Sequence, residues 1–288
     1  MFSITGITGQ VGGAVAHNLL AANRPVRAVV RDLRKGEAWA QRGCEVVKAD
    51  ITDQAALTAA FEGAEAVFAL VPPCFDPSPE FAEARTVGAV LKAALEAARP
   101  GRVVYLSTIG AQAKQSNLLT QHTIIEHVLD ALSMPITFLR PAWFLENCSW
   151  DVAGAREQGV IWSFLQPLDK RFPMVATADV GRVGAELLQD VYNGGRVVEL
   201  EGPHRVTPRE IADAFSDLLG RSVKAEPVPR SRWEELFRSQ GMRNPMPRIQ
   251  MLDGFNEGWI EFEGGETRSR KGMVPVKAVL QTLIERDN

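Results

Sequence analysis

Three glycines spaced three apart, Gly6, Gly9 and Gly12, stand in the segment Gly6-Ile7-Thr8-Gly9-Gln10-Val11-Gly12-Gly13, directly behind the apolar run Phe2-Ser3-Ile4-Thr5. A glycine at the first position permits a tight turn. One at the second lets backbone N–H groups approach an anion with no Cβ in the way, and one at the third lets the next helix press on the strand. Thr8, Gln10 and Val11 lie within the same turn and would share its contacts. Such a strand, turn and helix N-terminus suits the pyrophosphate of a dinucleotide. A plain strand–turn–helix is the alternative, but Ala14, Val15, Ala16, Leu19 and Leu20 follow with helical spacing, as the dinucleotide reading requires.

Further along, the candidates fall where such a ligand would extend. Val29-Val30-Arg31-Asp32 closes a second apolar run, at the place where an acid would bond a ribose 2′-hydroxyl and an arginine would accommodate a 2′-phosphate. Arg31, backed by Arg34 and Lys35, points to NADP(H), and Asp32 is the weaker, competing signal for NAD(H). Asp50, with Ile51 beside it, ends a third run within reach of an adenine, whereas Asp53 reads as the N-cap of a helix over Gln54–Phe61. Leu70-Val71-Pro72-Pro73-Cys74 forms a proline-stiffened loop beside the dinucleotide. Ser107 closes a fifth run at its carboxyl end, where it could meet nicotinamide or substrate.

These positions need a parallel sheet to hold them, and the chain predicts one. Strands are expected at Phe2–Thr5, Val26–Val30, Glu45–Lys48, Ala66–Leu70, Arg102–Ser107 and Ile136–Leu139, with helices near Gly12–Ala22, Arg34–Arg42, Gln54–Phe61, Pro79–Ala98 and Leu118–Leu132. That alternation is a Rossmann-type, doubly wound α/β fold. Residues 1–148 would form the dinucleotide domain, completed by a strand and helix from within 173–201. Residues 149–288 would form a smaller α/β substrate domain or lid, where Thr207-Pro208-Arg209-Glu210 reads as a capping box. Arg268-Ser269-Arg270-Lys271 reads as a solvated basic loop.

The 288 residues carry a net charge of −3 and are 45% hydrophobic, which suits a globular protein with a full core. No basic stripe is present to bind nucleic acid. Cys44, Cys74 and Cys148 are too scattered for a disulfide framework or a zinc site, and His17, His127 and His204 lack acidic or cysteine partners at ligand spacing, so no metal is expected. With no apolar run near the roughly 18 residues of a membrane span and no signal segment, a cytoplasmic protein without membrane contact is expected. A homodimer is left open.

The glycine turn, Val30-Arg31-Asp32, Val103-Val104-Tyr105-Leu106-Ser107, Leu139-Arg140-Pro141-Ala142-Trp143-Phe144, the following Glu146-Asn147 and the later Asp179-Val180-Gly181 together resemble the NmrA-like, atypical branch of the short-chain dehydrogenase/reductase superfamily. The resemblance covers essentially the whole chain and is greatest to NADPH-dependent quinone oxidoreductases and triphenylmethane-dye reductases. It implies that Trp143, Phe144 and Asn147 wall the substrate side. It further implies a role for His122 and Glu126, which match a His-x-x-x-Glu pattern of those reductases and share one helix face. An imidazole of ordinary pKa near 6.5 could donate a proton or hold a substrate or ribose oxygen. A partly buried histidine bonded only to Glu126 is the alternative.

Ordinary short-chain dehydrogenases use a tyrosine with a lysine four residues on. Here the residues four after Tyr105 and Tyr192 are Ile109 and Arg196, so that pair is missing. The leading expectation is an NADPH-dependent reductase passing hydride directly to a quinone-like or other electron-poor aromatic acceptor, which needs little acid catalysis. A non-catalytic NAD(P)-binding redox sensor fits the same residues. A cavity open over the nicotinamide position and lined by aromatics would favour the reductase; a closed one would favour the sensor.

Overall fold

Apolar runs become interior strands where both faces can be covered, and Phe2–Ile4, the first of them, is buried throughout in the computed structural model, which describes residues 1–287. In chain order the first half comprises β1 (Phe2–Ile4), α1 (Gln10–Ala21), β2 (Val26–Val30), α2 (Glu37–Ala40), β3 (Glu45–Lys48), α3 (Gln54–Phe61), β4 (Ala66–Ala69), α4 (Ala82–Ala98), β5 (Val103–Leu106), α5 (Thr120–Leu129) and β6 (Ile136–Pro141). The second half begins with β7 (Trp143–Phe144), α6 (Val152–Glu157), β8 (Val160–Ser163), β9 (Met174–Val175), α7 (Thr177–Gln189) and β10 (Gly195–Glu201). It ends with α8 (Pro208–Leu219), β11 (Lys224–Pro227), α9 (Trp233–Ser239), α10 (Met246–Glu257), β12 (Arg270–Lys271) and α11 (Val276–Arg286).

Eight strands form one sheet in the order β12-β10-β6-β5-β4-β1-β2-β3, and every neighbouring pair is parallel. The chain winds outward from β1 to β3, crosses back to β4 and winds outward again, so helices cover both faces. Ile4, Phe68 and Val104 enter one core, with residues of α1 and α7. Val67, Val103 and Tyr105 enter the other, with residues of α3, α4 and α5. The expected doubly wound α/β sheet is present. Its outer strands β3 and β12 carry Glu45, Lys48, Arg270 and Lys271, charges that discourage pairing with another chain.

Residues beyond 148 do more than cover the ligand: α7, β10 and β12 extend the sheet and its helical layer. At Gly181 of α7 a Cβ would stand 2.2 Å from the Cβ of Ala14 in α1, so only glycine lets these helices touch. Two residues earlier, buried Asp179 accepts from the backbone N–H of Met273 (2.8 Å) and Val274 (2.9 Å), tying down the segment after β12. The basic quartet is a solvated loop only in part: Arg268 lies in an exposed turn, whereas the rest of it is tied to the sheet. Arg270 and Lys271 are an edge strand beside β10, with Lys271 paired to buried Glu201 at 2.7 Å and Ser269 buried.

Helix boundaries differ from the periodicity for local reasons. The helix expected over Arg34–Arg42 splits into a 3-10 turn, Leu33–Gly36, and the single turn of α2, because the Asp32 side chain accepts from the Arg34 N–H and starts the turn early. The one expected from Pro79 starts at Ala82, since Glu80 and Phe81 have φ of +59° and +57°. The one expected over Leu118–Leu132 is shorter, because the Asn117 carboxamide oxygen takes the Leu119 N–H at 2.8 Å and delays the start to Thr120. The Thr207–Glu210 capping box forms in both directions, at 3.0 and 2.8 Å.

In the second half, β8 and β11 make a small parallel pair, and α8, α9 and α10 pack near it. No helix among the described residues is long and apolar enough to cross a membrane.

Candidate active site

A cavity of about 870 Å³ opens at the carboxyl ends of β1, β2, β4, β5 and β6, where the strand order reverses between β1 and β4. Ligands of open parallel sheets lie at such reversals. Gly6 turns the chain with φ of +65°, and the Gly9 N–H donates to the Gly6 carbonyl at 2.9 Å. Gly9 is the N-cap of α1; it supplies no capping side chain, and no acidic residue sits in the first helical turn. The N–H groups of Gln10 and Val11 are therefore left without helical partners, with positive dipole facing the cavity that both residues line. Thr8 joins them there. Gly12 lies behind the turn instead, where a Cβ would stand 2.3 Å from the Gly6 carbonyl oxygen.

At the β2 end, Arg31 lines the cavity, whereas Asp32 is occupied: Arg34 binds its carboxylate at 2.8 Å and holds its pKa below the usual carboxylate range. Lys35 is exposed and stands outside the cavity wall, as do Asp50 and Ile51. The Asp50 carboxylate accepts from the Thr52 N–H (3.0 Å) and hydroxyl (2.6 Å), bonds that lower its pKa, and Asp53 caps α3 through the Ala56 N–H. On the other side of β1, buried Thr5 anchors the loop after β4 by taking the Leu70 N–H at 2.7 Å. Leu70, Val71 and Pro72 thereby flank the glycine turn across the cavity mouth.

The centre of the cavity departs from the expected His122–Glu126 pair. His122 lines the cavity from the first turn of α5, and its Nδ1 is hydrogen-bonded to the Tyr105 hydroxyl at 2.9 Å. Burial lowers the imidazole pKa to about 4, so the ring is neutral near pH 7 and its ordinary pKa does not apply. Burial also raises the Tyr105 pKa, which keeps the phenol protonated. Glu126 points away from the cavity into a different network. Its two oxygens take the Arg140 guanidinium at 2.9 and 2.6 Å, and it also accepts from Ser107. Ser107 lines the cavity while its hydroxyl is committed to that carboxylate. One helical turn separates His122 and Glu126, yet Tyr105 from β5 and Arg140 from β6 claim them separately.

Trp143, Phe144 and Asn147 line the same cavity. Trp143 is braced edge-on by Phe255, 5.2 Å between ring centroids. Sequence reading missed the adjoining wall: Arg248, Met251, Leu252 and Phe255 all line the cavity from α10. Their spacing of i, i+3, i+4 and i+7 was the available signal. Asp151 was also missed; burial raises its carboxyl pKa to about 7 in this cavity.

Comparisons with known proteins place this geometry in context. The chain is 27% identical over 244 residues to quinone oxidoreductase 2 of Escherichia coli, covering 84% of this chain and 82% of that protein. It is 31% identical over 231 residues to the (4-alkanoyl-5-oxo-2,5-dihydrofuran-3-yl)methyl phosphate reductase of Streptomyces griseus, covering 78% and 76%. The crystal structure of an NADPH-dependent quinone oxidoreductase from Escherichia coli complexed with NADPH matches with a TM-score of 0.73 and 25% identity, over 99% of this chain and 95% of that one. The glycine turn, Arg31, the Tyr105–His122 contact and the aromatic segment after β6 all fall within residues 2–261, where the chain matches the NmrA-like family, and to that family it belongs.

Proposed function

We propose that the protein is an NADPH-dependent reductase that passes hydride to a quinone-like or other electron-poor aromatic acceptor. The continuity of the cavity carries this reading: one space runs from the uncapped α1 N-terminus and Arg31 to Trp143, Phe144 and Phe255. The glycine turn, Arg31 and the aromatic residues after β6 line that one space. Relatives named as reductases of a quinone and of an unsaturated lactone phosphate support the same chemistry.

NADPH bound along this cavity supplies the hydride. The chain's part is to bind, orient and exclude water. The N–H groups of Gln10 and Val11 meet the pyrophosphate, and Arg31 meets the 2′-phosphate. His122 Nδ1 and the Tyr105 hydroxyl share a hydrogen bond; in the tautomer where Tyr105 donates, Nε2–H is left to donate to the acceptor oxygen. Hydride addition puts two electrons on the quinone; its oxygen then takes a proton from water, so the missing tyrosine–lysine pair is no obstacle. A single cavity can serve a range of flat acceptors held against the aromatic surface that Trp143 and Phe255 form together.

The test is NADPH oxidation against a panel of quinones, dyes and aldehydes, with quinones expected to turn over fastest. Tight NADPH binding without oxidation by any acceptor would move the assignment to a redox sensor. Within that panel, His122→Ala slows quinone reduction and slows any aldehyde reduction more, since general-acid or hydrogen-bonding help of about 10²–10⁴-fold matters most where the oxyanion is localised. Because the His122 pKa lies near 4, single-turnover rates between pH 5.5 and 8.5 show no step from this residue. Burial raises the Asp151 carboxyl pKa to about 7, so a step near pH 7 that is lost in Asp151→Asn is traced to that carboxyl, and one that persists is not.

Cofactor choice gives a separate prediction. Arg31 faces the cavity while Asp32 is held by Arg34, so NADPH binds more tightly than NADH. Arg31→Ala removes roughly 10- to 100-fold of that preference, the contribution of one charge-assisted contact, and leaves NADH affinity nearly unchanged. Calorimetric titration of both cofactors against both proteins measures it. A wild-type preference for NADH would make Asp32 the ribose reader.

A further inference from the structure

Arg248 interrupts an apolar stripe. The other members of the α10 face turned to the cavity are Met251, Leu252 and Phe255, each less than a tenth exposed. A long cation at the first position of such a stripe is costly to bury unless something neutralises it. Elsewhere the chain pairs its buried arginines: Arg140 holds Glu126 and Glu263, Arg205 holds Glu201 and Glu261, and Arg102 holds Glu65. Among the described residues the Arg248 side chain has no carboxylate partner and makes no hydrogen bond. Its guanidinium lies over the Phe237 ring at 4.4 Å and near the Trp150 ring at 6.0 Å. Those rings hold the planar group by its face, and Arg248 is among the residues that line the cavity.

The charges that share the cavity do not fill this role. Glu83 accepts from the Ser78 hydroxyl at 2.8 Å, and Arg31 lies at the dinucleotide end. Asp151 forms no ion pair with Arg248, and its raised pKa leaves it only partly ionised near pH 7. Burial without a counter-charge lowers the Arg248 pKa as well.

Resting on the reductase reading, the geometry points to an acceptor with an anionic substituent, a carboxylate, sulfonate or phosphate, that Arg248 binds while the aromatic walls hold the ring. Arg248 is then a specificity-determining residue, distant from the hydride-transfer step. Its planar fork matches two oxygens of such a group.

The test compares 1,2-naphthoquinone-4-sulfonate with unsubstituted 1,2-naphthoquinone in the full-length protein. The ratio of their kcat/KM values falls roughly 10- to 100-fold in Arg248→Met, through KM rather than kcat, and partly recovers in Arg248→Lys. A ratio that stays the same across the three proteins overturns the proposal. Wild-type protein alone gives a second readout, should the variants fold poorly: 2-naphthalenesulfonate inhibits quinone reduction more strongly than 2-naphthol, and added salt narrows the difference. Equal inhibition by the two also overturns it. If no quinone is reduced, the reductase reading fails on its own, and calorimetric binding of 2-naphthalenesulfonate to NADPH-loaded wild type and Arg248→Met still decides whether Arg248 selects an anion.

Discussion

Gly9→Val abolishes dinucleotide binding and leaves a folded protein. The backbone at Gly9, φ −94° and ψ 177°, is open to any residue, and a Cβ there would meet only the Gly6 carbonyl oxygen, at 3.3 Å. The cost to folding is that of a poor N-cap, about 1 kcal/mol. The branched side chain would screen the first-turn N–H groups of α1 from the cavity. Losing two charge-assisted bonds to phosphate, each worth about 1.5–3 kcal/mol, weakens NADPH by at least roughly 100-fold. Gly12→Ala behaves in the opposite way: its Cβ would collide with Gly6 backbone, so the thermal midpoint falls and binding suffers only as the turn is displaced. Calorimetric affinity and melting temperature, measured on both variants, separate the two. Unchanged NADPH affinity in a folded Gly9→Val protein would remove the glycine turn from the cofactor site.

The contrast shows which features a linear reading can reach. The glycine turn is local: strand, turn and helix lie within twenty residues, so its geometry follows from residue types alone. The positions and parallel arrangement of the first six strands were legible for a similar reason, since short apolar runs alternating with helices admit few topologies. The edge strand Arg270–Lys271 was not, because two charged residues carry no strand signal and pair only through β10. His122 illustrates the limit at the site. Its spacing to Glu126 suggested a pair, but the deciding partners, Tyr105 and Arg140, come from strands 17 and 14 residues away along the chain, respectively. Which residue claims a polar side chain depends on the tertiary packing, and so does the desolvation that sets its pKa. Arg248 is the same case in reverse. Neither its helix nor its place on the cavity wall was read from the sequence, and its lack of a counter-charge becomes visible only when every neighbour is in place.

Glu126 therefore has an expected role unlike that of a catalytic acid, and replacing it has a large effect on stability. With Arg140 and Glu126 both less than a tenth exposed, Glu126→Ala strands a buried guanidinium and removes the acceptor of Ser107. Removing one partner of a buried ion pair costs about 3–5 kcal/mol. Glu263 still reaches Arg140 at 2.6 Å but is half-exposed, so it offsets the loss only in part. Denaturant unfolding of the single variants and of the Glu126→Met, Arg140→Met double variant measures the coupling. The double variant is expected to recover much of the loss, because apolar replacements leave no unpaired charge in the interior and the half-exposed Glu263 is hydrated. Glu126→Gln loses less stability than Glu126→Ala, and its quinone reduction near pH 7 stays close to wild type at temperatures where it is folded. A Glu126→Gln protein as stable as wild type, but slowed as much as His122→Ala, would instead join the two residues in one catalytic pair and overturn the separate roles assigned to them.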